Sequence, residues 1–285
     1  MIYLSTWNVR GLNDPIRQVD VKKFMLSNKV QFITLLETRV KKENSSRVVQ
    51  MFGSQWGWLN NYNSRYNSRI WILWTKVELR VSEVLQMDQL MHVEVCSVVG
   101  DVKFLCSIIY AFNSFDGRVA LWEQFRALDV ANVPWIISRD FNTTLHYGER
   151  VKLSGVVWGD TFELQQFVSR MEVFDLQISG AFFTWCNKQG ENDKLWCKLD
   201  KVMANSTWVS AFPNTSVVFL NLQSSDHSPS LVTMDLLMND EPKPFRFCNA
   251  WSKDERFLGL VSEVWSSDIQ GCPMFVVVQK FKLVK

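Results

Sequence analysis

A chain of 285 residues is long enough for one large domain or two small ones, and long enough to bury a sizeable core. Its 47% hydrophobic and 21% charged residues exclude a disordered chain, and no apolar stretch approaches the ~20 residues of a membrane span. The net charge of +2 leaves nucleic-acid binding to rest on local patches.

The first apolar run, residues 2–8, has strand length and composition and ends on Asn8. Asn13-Asp14-Pro15 then offers a cap and a first-turn proline, and Val21, Phe24 and Met25 recur at helical spacing. A second run, residues 30–37, ends on Glu37, and residues 48–59 read as aromatic and irregular. Strands are expected at 69–74, 78–85, 92–99 and 102–110, the last lying in a run that carries Tyr110 and reaches Asn113. Leu121, Phe125 and Leu128 mark a second helix, the run 133–142 delivers Asp140 and Asn142, and Leu164, Phe167, Val168 and Met171 mark a third helix. Residues 182–185 and 196–203 read as short strands, 217–227 as a run into Asp226-His227, and 230–236 as a final strand.

So many strands with helices between them predict two packed sheets carrying helices on their outer faces. The 13 Trp and 20 Phe point to a thick aromatic core between those sheets. The polar, proline-bearing stretch 239–244 is the best boundary, giving a domain over 1–238 and a tail over 239–285. In the tail, Phe257, Leu260, Val261, Val264 and Trp265 predict an amphipathic helix, and the segment 274–285 stops in mid-pattern. The six cysteines form no CxxC pair or zinc spacing and read as buried, reduced thiols. With no signal peptide in view, the expected compartment is nuclear or cytoplasmic, not secreted.

Five of these runs end on a polar cluster, and rigid sheet ends are where distant parts of a chain present side chains to one point. Carboxylates and amides suit a hard cation such as Mg²⁺, which prefers oxygen ligands. Taken singly, each cluster has an ordinary role: Asn8 as an Asx-turn, Glu37 as a solvated strand end, Asp140-Phe141-Asn142 as turn chemistry, and Asp200-Lys201 as a surface ion pair. His92 and His146 are read as structural or exposed. Taken in order, the clusters describe one site.

The motifs Trp7-Asn8-Val9-Arg10-Gly11-Leu12-Asn13, Leu36-Glu37-Thr38-Arg39, Ile109-Tyr110-Ala111-Phe112-Asn113, Asp140-Phe141-Asn142, Phe183-Thr184-Trp185, Lys198-Leu199-Asp200-Lys201 and Ser225-Asp226-His227-Ser228-Pro229 carry a family resemblance. Their order resembles the endonuclease/exonuclease/phosphatase (DNase I-like) superfamily. More narrowly, the chain looks like the endonuclease domain of a plant LINE-type, non-LTR retrotransposon. Pro244-Phe245-Arg246-Phe247 with Trp251 resembles the segment that leads from such a domain to a reverse transcriptase, which this chain lacks. The resemblance implies an α+β, four-layered αββα sandwich of two mainly antiparallel sheets, and Mg²⁺-dependent (or Mn²⁺-dependent) nicking of DNA.

Carried over by position, Glu37 matches the main metal ligand, with Asn8 and Asp226 beside the metal. Asp140 matches the group that orients or deprotonates water, and Asn142 helps to position it. His227 matches the donor to a phosphoryl oxygen, held by Asp200. Tyr110 and Asn113 match phosphate contacts, and Thr184 falls in a substrate-contacting motif. One departure is Arg139, where the family pattern has glycine before the aspartate; a Cβ there restricts the backbone and a cation weakens the neighbouring base. The rival readings are a phosphatase of the same superfamily acting on a phosphorylated small molecule, and a decayed, non-catalytic nucleic-acid-binding remnant.

Overall fold

The computed structural model describes residues 1–62, 69–130, 132–152, 155–156, 161–190, 193–235 and 255–284. The strands are β1 (Ile2–Asn8), β2 (Phe32–Leu36), β3 (Trp56–Asn60), β4 (Ile70–Thr75), β5 (Leu79–Gln86), β6 (Leu90–Ser97), β7 (Lys103–Tyr110), β8 (Trp135–Asp140), β9 (Arg150–Lys152), β10 (Gly155–Val156), β11 (Val173–Asp175), β12 (Ile178–Gly180), β13 (Trp185–Cys186), β14 (Leu195–Cys197), β15 (Asp200–Asn205), β16 (Ser216–Phe219) and β17 (Ser230–Met234). The helices are α1 (Pro15–Ser27), α2 (Lys42–Gln50), α3 (Phe115–Arg126), α4 (Phe162–Arg170), α5 (Ser206–Ala211), α6 (Glu255–Ser266) and α7 (Pro273–Val284).

One large sheet has the order β12-β16-β17-β1-β2-β4-β3, the other β11-β15-β8-β7-β6-β5, and a small sheet runs β10-β9-β14-β13. In the large sheets β1–β2, β12–β16 and β7–β8 are parallel and the other pairs antiparallel. Ile2, Leu4, Phe32 and Ile72 of the first large sheet share a buried cluster with Phe104, Ile136 and Val202 of the second, so the two pack face to face. Trp208 and Phe212 meet Phe104 edge-on inside that layer, at 5.2 and 6.1 Å between ring centroids. On the far side of the first sheet, Val21, Phe24 and Met25 of α1 and Val48 of α2 cover Trp7, Ile33 and Trp71. On the far side of the second, Leu121 and Phe125 of α3 and Leu164 and Phe167 of α4 cover Leu105, Ile109 and Trp135. The result is the four-layered αββα sandwich that the motifs implied.

Local chemistry explains the helix starts. Asp14 accepts the Ile16 N–H at 2.9 Å with Pro15 at the first helical position, and Ser114 Oγ accepts the Gly117 N–H at 3.3 Å. Asn205 does double duty: its Oδ1 accepts the Trp208 N–H of α5 and the Trp135 N–H that opens β8, while its Nδ2 donates to Val133 O. Asn205→Ala is therefore expected to cost about 1–2 kcal/mol in urea unfolding; a loss under a few tenths would mean that the cap is redundant.

Several expectations need correction. Residues 48–59 are irregular only over the turn at 51–55, with the end of α2 before it and strand β3 after it; α2 buries little besides Ser45 and Val48, so its apolar period is too short to read. The run 217–227 is strand only to Phe219. Beyond it the chain leaves the sheet in a loop closed by the Leu220 N–H on Pro229 O. Within 182–185 only Trp185 is strand, and 196–203 is broken at Lys198-Leu199 into β14 and β15. The segment 274–285 is almost wholly helix α7. Cys272 is exposed and Cys96 half-buried, whereas Cys106, Cys186 and Cys197 are buried; Cys248 lies outside the described residues.

The contacts divide the chain into Met1–Leu237 and Met238–Lys285. In the second unit α6 and α7 meet through Trp265 and Phe281, whose rings stand edge-on at 5.6 Å. The stretch 239–244, the motif at 244–247 and Trp251 lie outside the described residues. No helix among the described residues is long and apolar enough to cross a membrane.

Candidate active site

Strand parity builds the site. Successive side chains of a strand point to opposite faces, so every second residue lines the layer between the sheets. In β1 the inward row is Ile2, Leu4, Thr6 and Asn8; in β8 it is Ile136, Ser138 and Asp140; in β7 it is Phe104, Cys106, Ile108 and Tyr110. Each row begins apolar and ends polar. Halfway along, the hydroxyls of Thr6 and Ser138 meet across the two sheets at 3.0 Å. In the second sheet, Asp140 is in register with Tyr110 on one side and Asp200 on the other, so three site residues form one line across three strands.

From the first sheet, Asn8 donates from Nδ2 to Glu37 Oε1 at 3.0 Å and to Asp140 Oδ2 at 3.2 Å. The loop after β16 supplies the rest. His227 Nδ1 lies 3.0 Å from Asp200 Oδ2, and its Nε2 lies 3.7 Å from Asp140 Oδ2. Ser225 fixes this loop by donating to Asn8 O at 2.6 Å, and Trp7 Nε1 donates to His227 O at 3.3 Å. Asp226 Oδ2 accepts from Trp185 Nε1 at 3.0 Å and from Arg10 Nη1 at 2.5 Å. Asn142, at φ +48°, donates its N–H to Asp140 Oδ1 at 3.0 Å and its side-chain amide to Ala111 O at 2.6 Å.

The structure thus brings together Asn8, Glu37, Tyr110, Asp140, Asn142, Asp200, Asp226 and His227. Thr184 stands apart from any open surface. It is fully buried, its Oγ1 accepting the Asp200 N–H at 3.0 Å, so its place is behind the Asp200–His227 pair. Asn113 is exposed on the loop after β7, with its carbonyl held by Arg118.

Burial sets the electrostatics, and the partners then modify it. Burial works to raise the Glu37 carboxyl, but the hydrogen bonds from Asn8 and Arg39 and the charges of Arg10 and Arg39 outweigh it and hold it low. Burial pushes Asp140 up to about 6, opposed chiefly by His227. Burial alone would lower His227, yet Asp200 and Asp140 overcome it and raise the imidazole above its ordinary value. Burial and the neighbouring carboxylates push the Tyr110 phenol up. The raised imidazole shifts His227 towards its cationic form, with Nδ1 facing Asp200 Oδ2 and Nε2 facing Asp140.

Ligating atoms of Glu37, Asp140 and His227 lie within 4.8 Å of one another. With Asn8 and Asp226 adjoining, the donor set is mostly oxygen, which fits a hard divalent cation better than a thiophilic one. Glu37 is presented from a left-handed backbone, at φ +50°.

Sequence reasoning gave no role to Arg10, Arg39 or Arg118. Arg39 Nη2 is 2.5 Å from Glu37 Oε2. Arg118, buried and paired with Glu163, donates to the carbonyls of Phe112, Asn113 and Asn142 and so ties together the loops after β7 and β8. Arg10 and Arg39 lie inside quoted motifs, so their nearness to Glu37 was the available signal. Arg118 had none. The backbone of Arg139 continues the ladder between Ile109 and Lys201, an extended conformation open to any residue, so the argument from glycine's freedom does not apply at this position. Its side chain lies outside the described residues.

The sequence matches no protein-family model and no curated protein sequence. Solved structures do resemble the chain. The endonuclease domain of TRAS1, a telomere-specific non-LTR retrotransposon, is 10% identical over 82% of this chain and 98% of its own, at a TM-score of 0.62. The AP endonuclease LMAP from Leishmania major is 12% identical over 82% of this chain and 87% of its own, at 0.63. The Bacteroides thetaiotaomicron mannosyl-6-phosphatase Bt3783 is 12% identical over 82% of this chain and 100% of its own, at 0.58. Two face-to-face sheets between helical layers, with these neighbours, give the chain the fold of the endonuclease/exonuclease/phosphatase, or DNase I-like, domains.

Proposed function

We propose that residues 1–238 are a metal-dependent phosphodiesterase domain that nicks DNA, of the kind found in LINE-type retrotransposons, and that 239–285 is a helical tail of the kind that would precede a polymerase domain. The observation that carries this reading is the buried Asp140–His227–Asp200 line beside Glu37 and Asn8. Glu37, Asn8 and Asp226 would hold a divalent cation, Mg²⁺ or Mn²⁺, which supplies neutralisation of charge building on phosphoryl oxygens. Asp140, a carboxylate at neutral pH, accepts a proton from the attacking water, and Asn142 holds that carboxylate in place through Oδ1. His227, kept in one tautomer by Asp200, donates from Nε2 to a phosphoryl oxygen. Tyr110, at the end of β7, and Asn113, on the loop after it, would contact the phosphate.

A phosphatase reading has a specific support in the likeness to the mannosyl-6-phosphatase, and both chemistries attack phosphorus with water. Plasmid relaxation separates them. Nicking is expected in Mg²⁺ and not in EDTA, with Glu37→Gln reducing it at least ~100-fold, and the nicked ends should prime a polymerase. Chelator-resistant nicking would end the metal reading, and release of phosphate from a sugar phosphate without nicking would favour the phosphatase.

A further inference from the structure

We infer that Arg10 is a tethered cation occupying the oxygen cluster of this site, and that a divalent ion binds there by displacing it; this rests on the metal-site reading above. One residue places a donor on each of the three proposed ligands. The Arg10 N–H reaches Asn8 Oδ1 at 3.3 Å, its Nε stands 3.5 Å from Glu37 Oε1, and its Nη1 stands 2.5 Å from Asp226 Oδ2. The carboxylates it meets are buried, whereas the Arg10 side chain is 44% exposed, so it closes the cluster from the solvent side.

The backbone makes this position fixed rather than incidental. Beyond the paired strands the chain stays zipped to the β2 segment, with Val9 N on Leu36 O at 3.0 Å, Gly11 N on Glu37 O at 2.7 Å and Leu12 N on Thr38 O at 2.7 Å. Arg10 takes φ +48° and Gly11 φ +114° within that zip, a turn that holds the Arg10 Cα beside Glu37. Anionic groups crowded in a buried cluster repel one another unless a cation lies among them. The Arg10 guanidinium is placed to supply that charge. It and a divalent ion need the same carboxylate oxygens of Glu37 and Asp226, so each lowers the apparent affinity of the other for the site. Arg39, on the opposite oxygen of Glu37, touches neither Asn8 nor Asp226 among the bonds described, so the competition is assigned to Arg10.

The test uses the full chain and needs no turnover. Titration calorimetry with Mg²⁺ alone, and with Mn²⁺ alone, is compared for the natural protein, Arg10→Gln, Arg10→Lys and Glu37→Gln, with thermal unfolding in EDTA and at saturating Mg²⁺. Losing a charge-assisted contact to a carboxylate should make Arg10→Gln bind the ion roughly tenfold more tightly. It should also melt lower than the natural protein in EDTA, a deficit that saturating Mg²⁺ removes. Arg10→Lys, which keeps a charge without the fork, should fall between, and carries the test alone should the glutamine variant not fold. Equal or weaker ion binding by these variants, with Glu37→Gln still abolishing it, would overturn the competition and leave the metal site standing. No ion binding by any of the proteins would overturn both.

Discussion

Asp140→Asn is expected to leave the protein folded and to slow nicking by between about 10²- and 10⁴-fold, the range over which a positioned general base acts. The substitution keeps the shape of the side chain, and an amide oxygen still accepts the Asn142 N–H that now reaches Oδ1 at 3.0 Å. What disappears is the oxygen that accepts from Asn8 Nδ2 at 3.2 Å and lies 3.7 Å from His227 Nε2, on a carboxylate that burial lifts to about 6. A base with that affinity is ionised at neutral pH yet holds a proton better than an exposed aspartate does. Initial rates of plasmid relaxation in Mg²⁺, with circular dichroism as the folding control, measure the effect. A rate within tenfold of the natural protein would remove Asp140 from the base position.

The second large effect is on stability and lies behind the site. Lys201, fully buried, donates from Nζ to Glu149 Oε2 at 2.7 Å and to Lys198 O at 2.9 Å. The same Glu149 oxygen accepts the Leu145 and His146 N–H groups at 2.6 and 3.3 Å. Glu149→Ala strands a buried ammonium and two amides together, and is expected to cost about 3–5 kcal/mol in urea unfolding. Burial would raise the Glu149 carboxyl, but Lys201, the Leu145 amide and Lys198 outweigh it and hold it below its ordinary value. A carboxyl lowered by folding adds stability that is fully present above its unfolded pKa, about 4.3, and is lost as the pH falls through the folded one. The natural protein should therefore lose stability more steeply than Glu149→Ala between about pH 5 and 3. Parallel acid profiles, or a cost below 1 kcal/mol, would show that the carboxylate is dispensable.

Much of this arrangement was legible because apolar runs of strand length, 2–8 and 133–142 among them, each end on a polar cluster. The helix α1 announces itself through Asp14-Pro15, whereas the alternate rows Ile2-Leu4-Thr6-Asn8 and Ile136-Ser138-Asp140 emerge only once the two sheets are packed. Other parts leave no such trace. α2 packs through Ser45 and Val48 alone among its buried residues, too little for a recognisable stripe. The loop over 220–229 is shaped by Ser225, Trp7 and Trp185, partners far away in sequence, so apolar character next to Val217 was misread as more strand. Thr184 was placed by its motif among the substrate contacts, and the structure buries it with its Oγ1 accepting the Asp200 N–H. Arg118 was missed because a helix surface pattern does not say which carbonyls a long side chain will reach.

The hydroxyl contact between Thr6 and Ser138 marks how little separates the interior from the chemistry: one step of the same row leads from each to Asn8 and to Asp140. A lesion that removes one residue upstream in β1 or β8 would rotate the end of that strand by half a turn, carrying Val9 or Phe141 to the cleft in place of the amide or the carboxylate. Single-codon losses in these segments should therefore remove the amide or the carboxylate from the cleft while much of the sandwich still forms.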